Sequence, residues 1–332
     1  MTQNRRRFIV ASGVACLATD FRRVRAADTD PWALDPAQQS RLACTTVCFR
    51  HWFPATRAPG VDADTPTVSI DEVPDLFVRE LGVKHLEVWS QHLESPVLSR
   101  CRALARAASQ AGARVINIQL DQREYEVRSK TGSILKGRFN LSDSDHIERQ
   151  RSVRFAKDWM DAAAECGAGS LRVNTGKTGG KSFDMNLTTE SLRQLAEHGQ
   201  RIGVKVLVEN HGPNVDRPER LAELVRRVDH HGCRTLPDFG NVPKTADESF
   251  REQMLQALVP AAHLVSAKTK AFDSEGNHTT YDFARCVQLC EQLGYQGIYS
   301  AEYWNPSPDS FDPISVARKT LRMIADNLVE PS

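Results

Sequence analysis

The sequence has no uninterrupted apolar run of about 18 residues, which excludes a hydrophobic helix long enough to span a membrane. Its eight cysteines include no CxxC pair, which removes the usual spacing of a zinc ribbon or a thioredoxin-type redox site. Cys44 and Cys48 stand four apart in an expected strand, and Cys286 and Cys290 four apart on an expected helix. With no second pair to complete a metal site, most of the cysteines read as small buried apolar residues. No Gly-rich phosphate fingerprint follows the first strand, which argues against a doubly wound dinucleotide fold. Net charge is scarce as well. The formal total is +1, and residues 1–26 alone hold six arginines and one acid. The rest of the chain carries 37 basic and 41 acidic side chains, a net of −4. A mildly acidic body is a poor electrostatic match for nucleic acid.

The basic N-terminus reads as a targeting segment. "RRRFIVASGVACLA" sets paired arginines, a spacer and Phe8 before a short apolar stretch, and "VRAAD" supplies small residues for cleavage near Ala26. This resembles a twin-arginine export signal, and it implies a periplasmic or exported protein. The expected division is a signal peptide over 1–27, a linker over 28–40 and one domain over 41–330.

Within that domain the hydrophobic periodicity alternates. Strands are expected at 41–49, 83–90, 114–120, 170–176, 205–212, 233–241, 263–273 and 297–304. Helices are expected at 69–81, 97–113, 145–168, 188–203, 217–229, 247–258, 280–294 and 313–328. The helix at 188 opens with a capping box over Thr188 to Ser191, and 121–142 reads as a loop. Eight strands alternating with eight helices predict a parallel sheet closed into a single (β/α)8 TIM barrel, in the α/β class.

Four late strands share one peculiarity. "VLVENHG" ends in Glu209 and His211, "RTLPDFGN" in Asp238 and Asn241, "HLVSAKTK" in Lys268 and Lys270, and "IYSAEYW" in Glu302 and Trp304. In a barrel of this kind the active site lies at the C-terminal ends of the strands. Glu209, Asp238, Lys268 and Glu302 would be neighbours around half of that rim. Side chains alternate along a strand, so Leu207, Glu209 and His211 share a face, as do Ser266, Lys268 and Lys270, and Ser300, Glu302 and Trp304. Converging carboxylates need a divalent cation, a proton or a lysine to neutralise them. Glu87 and Trp89 end strand two with His92 beyond, and Arg172 and Asn174 end strand four. An aromatic such as Trp89 or Trp304 would offer a flat apolar face to a ligand. "NTGKTGGK" (174–181) lacks Walker spacing and reads as a lid, and His278 reads as a loop residue.

"VENHG", "PDFGN", "SAKTKAFDSEG" and "GYQGIYSAEYW", with "LEVW" on strand two and "LRVNTG" on strand four, together resemble the sugar phosphate isomerase/epimerase family of xylose isomerase-like TIM barrels. The resemblance covers nearly all of the chain after the N-terminal segment. It implies one divalent metal (Mn, Mg, Co or Zn) held by Glu209, Asp238, Glu302 and a histidine after strand seven. It also implies that Glu209 and Glu302 trade a proton with the carbon beside a carbonyl. The sequence departs from that pattern at one position. Lys268 stands where the histidine would be, and a protonated lysine has no lone pair to give a metal. Either a nearby residue such as His211 supplies the missing ligand, or the Lys268 ammonium replaces the cation and acts in catalysis beside the two glutamates.

The expected partner is a small, unphosphorylated sugar or keto-sugar, contacted by His211, Asn241, Glu87, Trp89, Arg172, Trp304 and Lys270. No nucleic-acid partner and no membrane span are expected, and a homo-oligomer is compatible with the fold. The expected activity is isomerisation or epimerisation, with lyase or hydratase chemistry at the same site and a non-catalytic carbohydrate-binding barrel as alternatives. Apurinic-site endonucleases share the barrel, but their several zinc ions need more histidines than this rim offers.

Overall fold

The computed structural model describes residues 34–129, 131–178, 182–305 and 312–329. The expected signal peptide, residues 28–33 of the expected linker and residues 179–181 of the expected lid lie outside the described residues. Eight strands form the central sheet: β1 (Leu42–Thr45), β2 (His85–Trp89), β3 (Arg114–Leu120), β4 (Ser170–Val173), β5 (Lys205–Glu209), β6 (Cys233–Leu236), β7 (Leu264–Thr269) and β8 (Ile298–Tyr303). All their pairings are parallel, and the spatial order is β6-β5-β4-β3-β2-β1-β8-β7. The sheet closes between β6 and β7 through irregular backbone. His263 N–H donates to the Thr235 carbonyl, Ser266 N–H to Pro237 and Phe239 N–H to Ser266, at 2.9–3.1 Å. Pro237 has no N–H to give a regular ladder, so β6 ends before it and the seam is short. The result is the expected (β/α)8 barrel.

Each strand is followed by a helix. α1 (Val73–Leu76) runs into a π-helical turn, Phe77–Leu81, that ends at Gly82 in the left-handed region. Then come α2 (Leu98–Gln110), α3 (His146–Glu165), α4 (Met185–Ile202), α5 (Pro218–Val228), α6 (Glu248–Leu258), α7 (Phe283–Gln292) and α8 (Pro313–Ala325). Five of these open on an aspartate whose carboxylate accepts backbone N–H groups of the first turn: Asp145, Asp184, Asp247, Asp282 and Asp312. An aspartate there satisfies donors with no partner inside the helix and suits the positive end of its dipole.

Three expectations need correction. α4 begins at Met185, capped by Asp184, so Thr188 to Ser191 lie inside the helix and form no capping box. The stretch 121–142 contains an antiparallel hairpin, Glu124–Arg128 with Ile134–Arg138. Tyr125 lies opposite Gly137 there, and a Cβ on Gly137 would clash with the hydroxyl end of the Tyr125 ring. The expected linker ends in a short helix, Pro36–Arg41, whose Arg41 forms a two-point ion pair with Glu291 and also donates to the Tyr295 and Gly297 carbonyls. The seven cysteines of the described residues are buried and unpaired.

The barrel interior is layered. Leu207, Leu236 and Leu264, with Ile116 and Ile298, close the end nearer the strand N-termini. Two residues further along β7 and β8 the inward positions become Ser266 and Ser300, and two further still they become Lys268 and Glu302. The C-terminal half of the barrel is therefore polar.

Candidate active site

Glu209, Asp238, Lys268 and Glu302 come together at the C-terminal end of the barrel and are 4%, 0%, 6% and 4% exposed. Charged groups so deeply buried persist only when paired. Lys268 and Glu302 are directly paired in the β7–β8 register. The Lys268 ammonium lies 2.8 Å from Asp238 Oδ2 and 2.8 Å from Glu302 Oε1, and donates to Asn241 Oδ1 at 3.1 Å. Its three N–H groups thus have three acceptors. Burial alone would push the lysine pKa down, but Asp238, Glu302 and Glu209 outweigh it and hold the ammonium charged. The Tyr281 hydroxyl donates to the Lys268 carbonyl and fixes the backbone below it.

Asp238 is held from both sides. Its Oδ1 accepts the backbone N–H groups of Gly240 and Asn241, each at 2.8 Å, and its Oδ2 accepts from the Ser266 hydroxyl at 2.9 Å. Glu302 is equally occupied. Beyond Lys268, its Oε2 accepts from Gln119 Nε2 at 3.1 Å and from Ser266 Oγ at 3.2 Å. Glu209 is different. Its Oε1 accepts from Asn241 Nδ2 at 2.8 Å, while its Oε2 sits 2.9 Å from Arg172 Nε, out of line for a hydrogen bond. Burial raises the Glu209 pKa, against the pull of Arg172 and Lys268. Burial raises the Asp238 pKa as well, but Glu209 alone of the three carboxylates keeps an oxygen with no aligned hydrogen bond, as a base needs.

The other expected residues fall into two groups. Arg172 pairs with Glu209, Asn174 accepts from Arg172, and His211 lies in the field of Arg172 and Asp121. Arg172 also lies 3.7 Å from Asp121, and Asn174 donates to Asp121 at 2.8 Å. Burial, then Arg172, lowers the His211 pKa to about 4, so its ring is neutral near pH 7. Lys270 is half-buried beside Gly240, and burial lowers its pKa. Trp304 is 39% exposed, edge-on to Trp89 at 6.2 Å and covered on one face by the Arg50 guanidinium. It borders the site as an aromatic wall.

The second group lies deeper. Glu87 is fully buried within the barrel, and Asn117 Nδ2 donates to it at 2.7 Å. It lies one layer deeper than the four, in the field of Glu302 and Arg172. His92 is structural. Its ring stacks on Phe53 at 3.7 Å and both its nitrogens meet threonine hydroxyls, Thr46 and Thr56. His278 packs among Phe272, Tyr281 and Phe283, as a loop residue would. Sequence reasoning passes over Asn117, Gln119 and Asp121, yet "NIQLD" alternates polar and apolar residues and puts all three on one face.

The donor set does not fit a divalent metal. Asp238 and Glu302 face one point and the Lys268 ammonium holds it, while Glu209 is linked to that ammonium through Asn241. Among the described residues no group of three or more His, Cys, Asp and Glu side chains is arranged to hold a metal ion. His211 belongs to no such group, and the Lys268 ammonium sits between Asp238 and Glu302, the alternative to a metal that the sequence leaves open.

A family model of xylose isomerase-like TIM barrels matches residues 76–327. The chain belongs to this family. Among solved structures, this xylose isomerase-like barrel resembles the Escherichia coli 3-keto-D-glucoside 4-epimerase at 18% identity and a TM-score of 0.58, covering 79% of this chain and 96% of that one. It also resembles a Mycobacterium smegmatis xylose isomerase-like TIM barrel protein in complex with magnesium, at 17% identity and 0.59, over 88% and 99% of the two chains. A third likeness, at 17% identity and 0.60, is to a fusion of such a barrel with a 4-hydroxyphenylpyruvate dioxygenase; it covers 85% of this chain, which spans 42% of the fusion. At these identities the likeness is one of fold. No curated protein matches the chain.

Proposed function

We propose that this barrel is an enzyme that moves a proton at the carbon beside a carbonyl, on an unphosphorylated sugar or keto-sugar, in an isomerisation or epimerisation. One observation carries the reading. The Asn241 carboxamide bridges the candidate base and the candidate cation, its N–H on Glu209 Oε1 and its carbonyl on Lys268 Nζ. An H–C–C=O unit presents the same two points in the same order. With its carbonyl oxygen on Lys268, a keto-sugar would set its α-carbon against Glu209. Glu209 removes the α-proton and the ammonium stabilises the enediolate; the Glu209 carboxyl then returns the proton to the neighbouring carbon in an isomerisation, or Glu302 supplies one to the opposite face in an epimerisation. The likeness to a 3-keto-D-glucoside 4-epimerase supports a keto-sugar over a phosphorylated one. In this reading His211, Arg172 and Asn174 would contact the sugar hydroxyls, and Trp304 would cover an apolar sugar face.

The test is Glu209→Gln, which keeps the hydrogen bond from Asn241 and removes the base. Turnover of a keto-sugar should fall by roughly 10²–10⁴-fold, the usual worth of a general base. Binding of that sugar, measured by calorimetry, should persist. Equal turnover in the variant would remove Glu209 from the chemistry. If neither form turns over any sugar of a keto-sugar panel while both bind one alike, the barrel is a binding module.

A further inference from the structure

The disagreement between the three carboxylates and a metal centre has a positive content. We propose that Lys268 is the permanent cation of this site: its ammonium takes the place of a divalent metal and presents one exchangeable N–H to a carbonyl oxygen.

The coordination supports this. Two of the ammonium contacts are to buried carboxylates, Asp238 and Glu302, at 2.8 Å each. Both carboxylates are anchored by further donors: Asp238 by the backbone of Gly240 and Asn241, Asp238 and Glu302 together by Ser266, and Glu302 by Gln119. Those two contacts fix the ammonium in place. The third is longer, at 3.1 Å, and goes to the neutral carboxamide of Asn241. A neutral acceptor is the cheapest of the three to exchange, because giving it up leaves no buried charge unpaired. The surroundings are shaped for the lysine stem. A Cβ on Gly240 would lie 3.0 Å from both Lys268 Cγ and Cδ and 3.2 Å from Lys270 Cε, so the PDFGN turn approaches both lysines closely. A divalent ion at this point would have to expel a charged, triply bonded ammonium from between its own ligands.

Only the assignment of the carbonyl oxygen rests on the proposed function; the claim about the cation stands without it. The experiment therefore reads metal rather than turnover. Elemental mass spectrometry on the purified full chain would be combined with calorimetric titration of Mn²⁺ into chelator-treated wild type and Lys268→His. Circular dichroism would establish that the variant is folded. The expected result is no bound transition metal and no Mn²⁺ heat in wild type, and one equivalent of Mn²⁺ in Lys268→His, where an imidazole joins three carboxylates. One equivalent of a divalent ion in wild type would overturn the proposal, because the metal would then have displaced the ammonium. Should Lys268→His fail to fold, the wild-type titration with Mn²⁺, Mg²⁺ and Zn²⁺ decides alone: binding overturns the proposal, and its absence supports it. If no sugar is ever turned over, the function fails while the metal result stands.

Discussion

At Glu87, burial decides protonation. The carboxyl is fully enclosed in the barrel, and burial, reinforced by Glu302, pushes its pKa from 4.5 up to about 7. Asn117 donates to one oxygen, while the other oxygen and the nearby Ser300 hydroxyl have no aligned partner. In the unfolded chain the group ionises near pH 4.5, so the folded state holds an extra proton between there and about 7. The stability due to the neutral form is fully present below pH 4.5 and is lost as pH rises through about 7, with a total of roughly 3 kcal/mol. Glu87→Gln removes the titration and should flatten the stability profile over that window, measured by urea unfolding from pH 4 to 8. An unchanged slope would place the titration elsewhere. Residues differ in how far the sequence exposes them. Glu209, Asp238, Lys268 and Glu302 stand out because each is an ionisable group ending an apolar run. What each touches is hidden, because the partners Gln119, Ser266 and Arg172 come from strands far away in the chain. The pairing of Arg172 with Glu209, and the deep burial of Glu87, are set by closure of the barrel.

Among the elements, the turn after β6 carries the most chemistry per residue. Pro237 ends the ladder, Asp238 reaches Lys268, Gly240 makes room for two lysines and Asn241 links base to cation. Gly240→Ala would press on Lys268 and Lys270, whose flexible stems can yield by a few tenths of an ångström. Turnover should fall roughly tenfold through a displaced ammonium, with a stability loss of only about 1 kcal/mol, since small misplacements weigh more on catalysis than on folding. Parallel kinetics and thermal melts check this; a large loss of stability at unchanged turnover would contradict it. Elements are legible in proportion to their burial. The eight strands and their helices show because a closed barrel buries each strand on both faces and each helix on one. The hairpin does not show, because "EYEVR" and "ILKGR" are short, with only Tyr125 and Val127 buried. The start of α4 is missed because Asp184 caps it one turn before the expected box. Strand ends are overestimated where the polar residues gather. The residues past Glu209, Leu236 and Thr269 leave the ladder to form the site.

At the scale of the whole molecule, the barrel separates stability from chemistry. Leucines and isoleucines fill one end, and four charged residues from four successive strands fill the other. A hollow of about 310 Å³ at the far end, among Arg234, His263, Tyr295 and their neighbours, holds none of the four. The proposed chemistry needs one carboxylate with an unaligned oxygen, Glu209, and one fixed ammonium, Lys268, joined by the Asn241 carboxamide. The most direct measurement is proton exchange. Chelator-treated wild-type protein would be incubated with a panel of keto-sugars in D₂O and followed by NMR. The account predicts that deuterium enters at the carbon beside the carbonyl of at least one sugar, with no metal added, and that Glu209→Gln abolishes its entry. Deuterium entry only after a divalent metal is supplied, or none into any sugar that the protein binds, would contradict it.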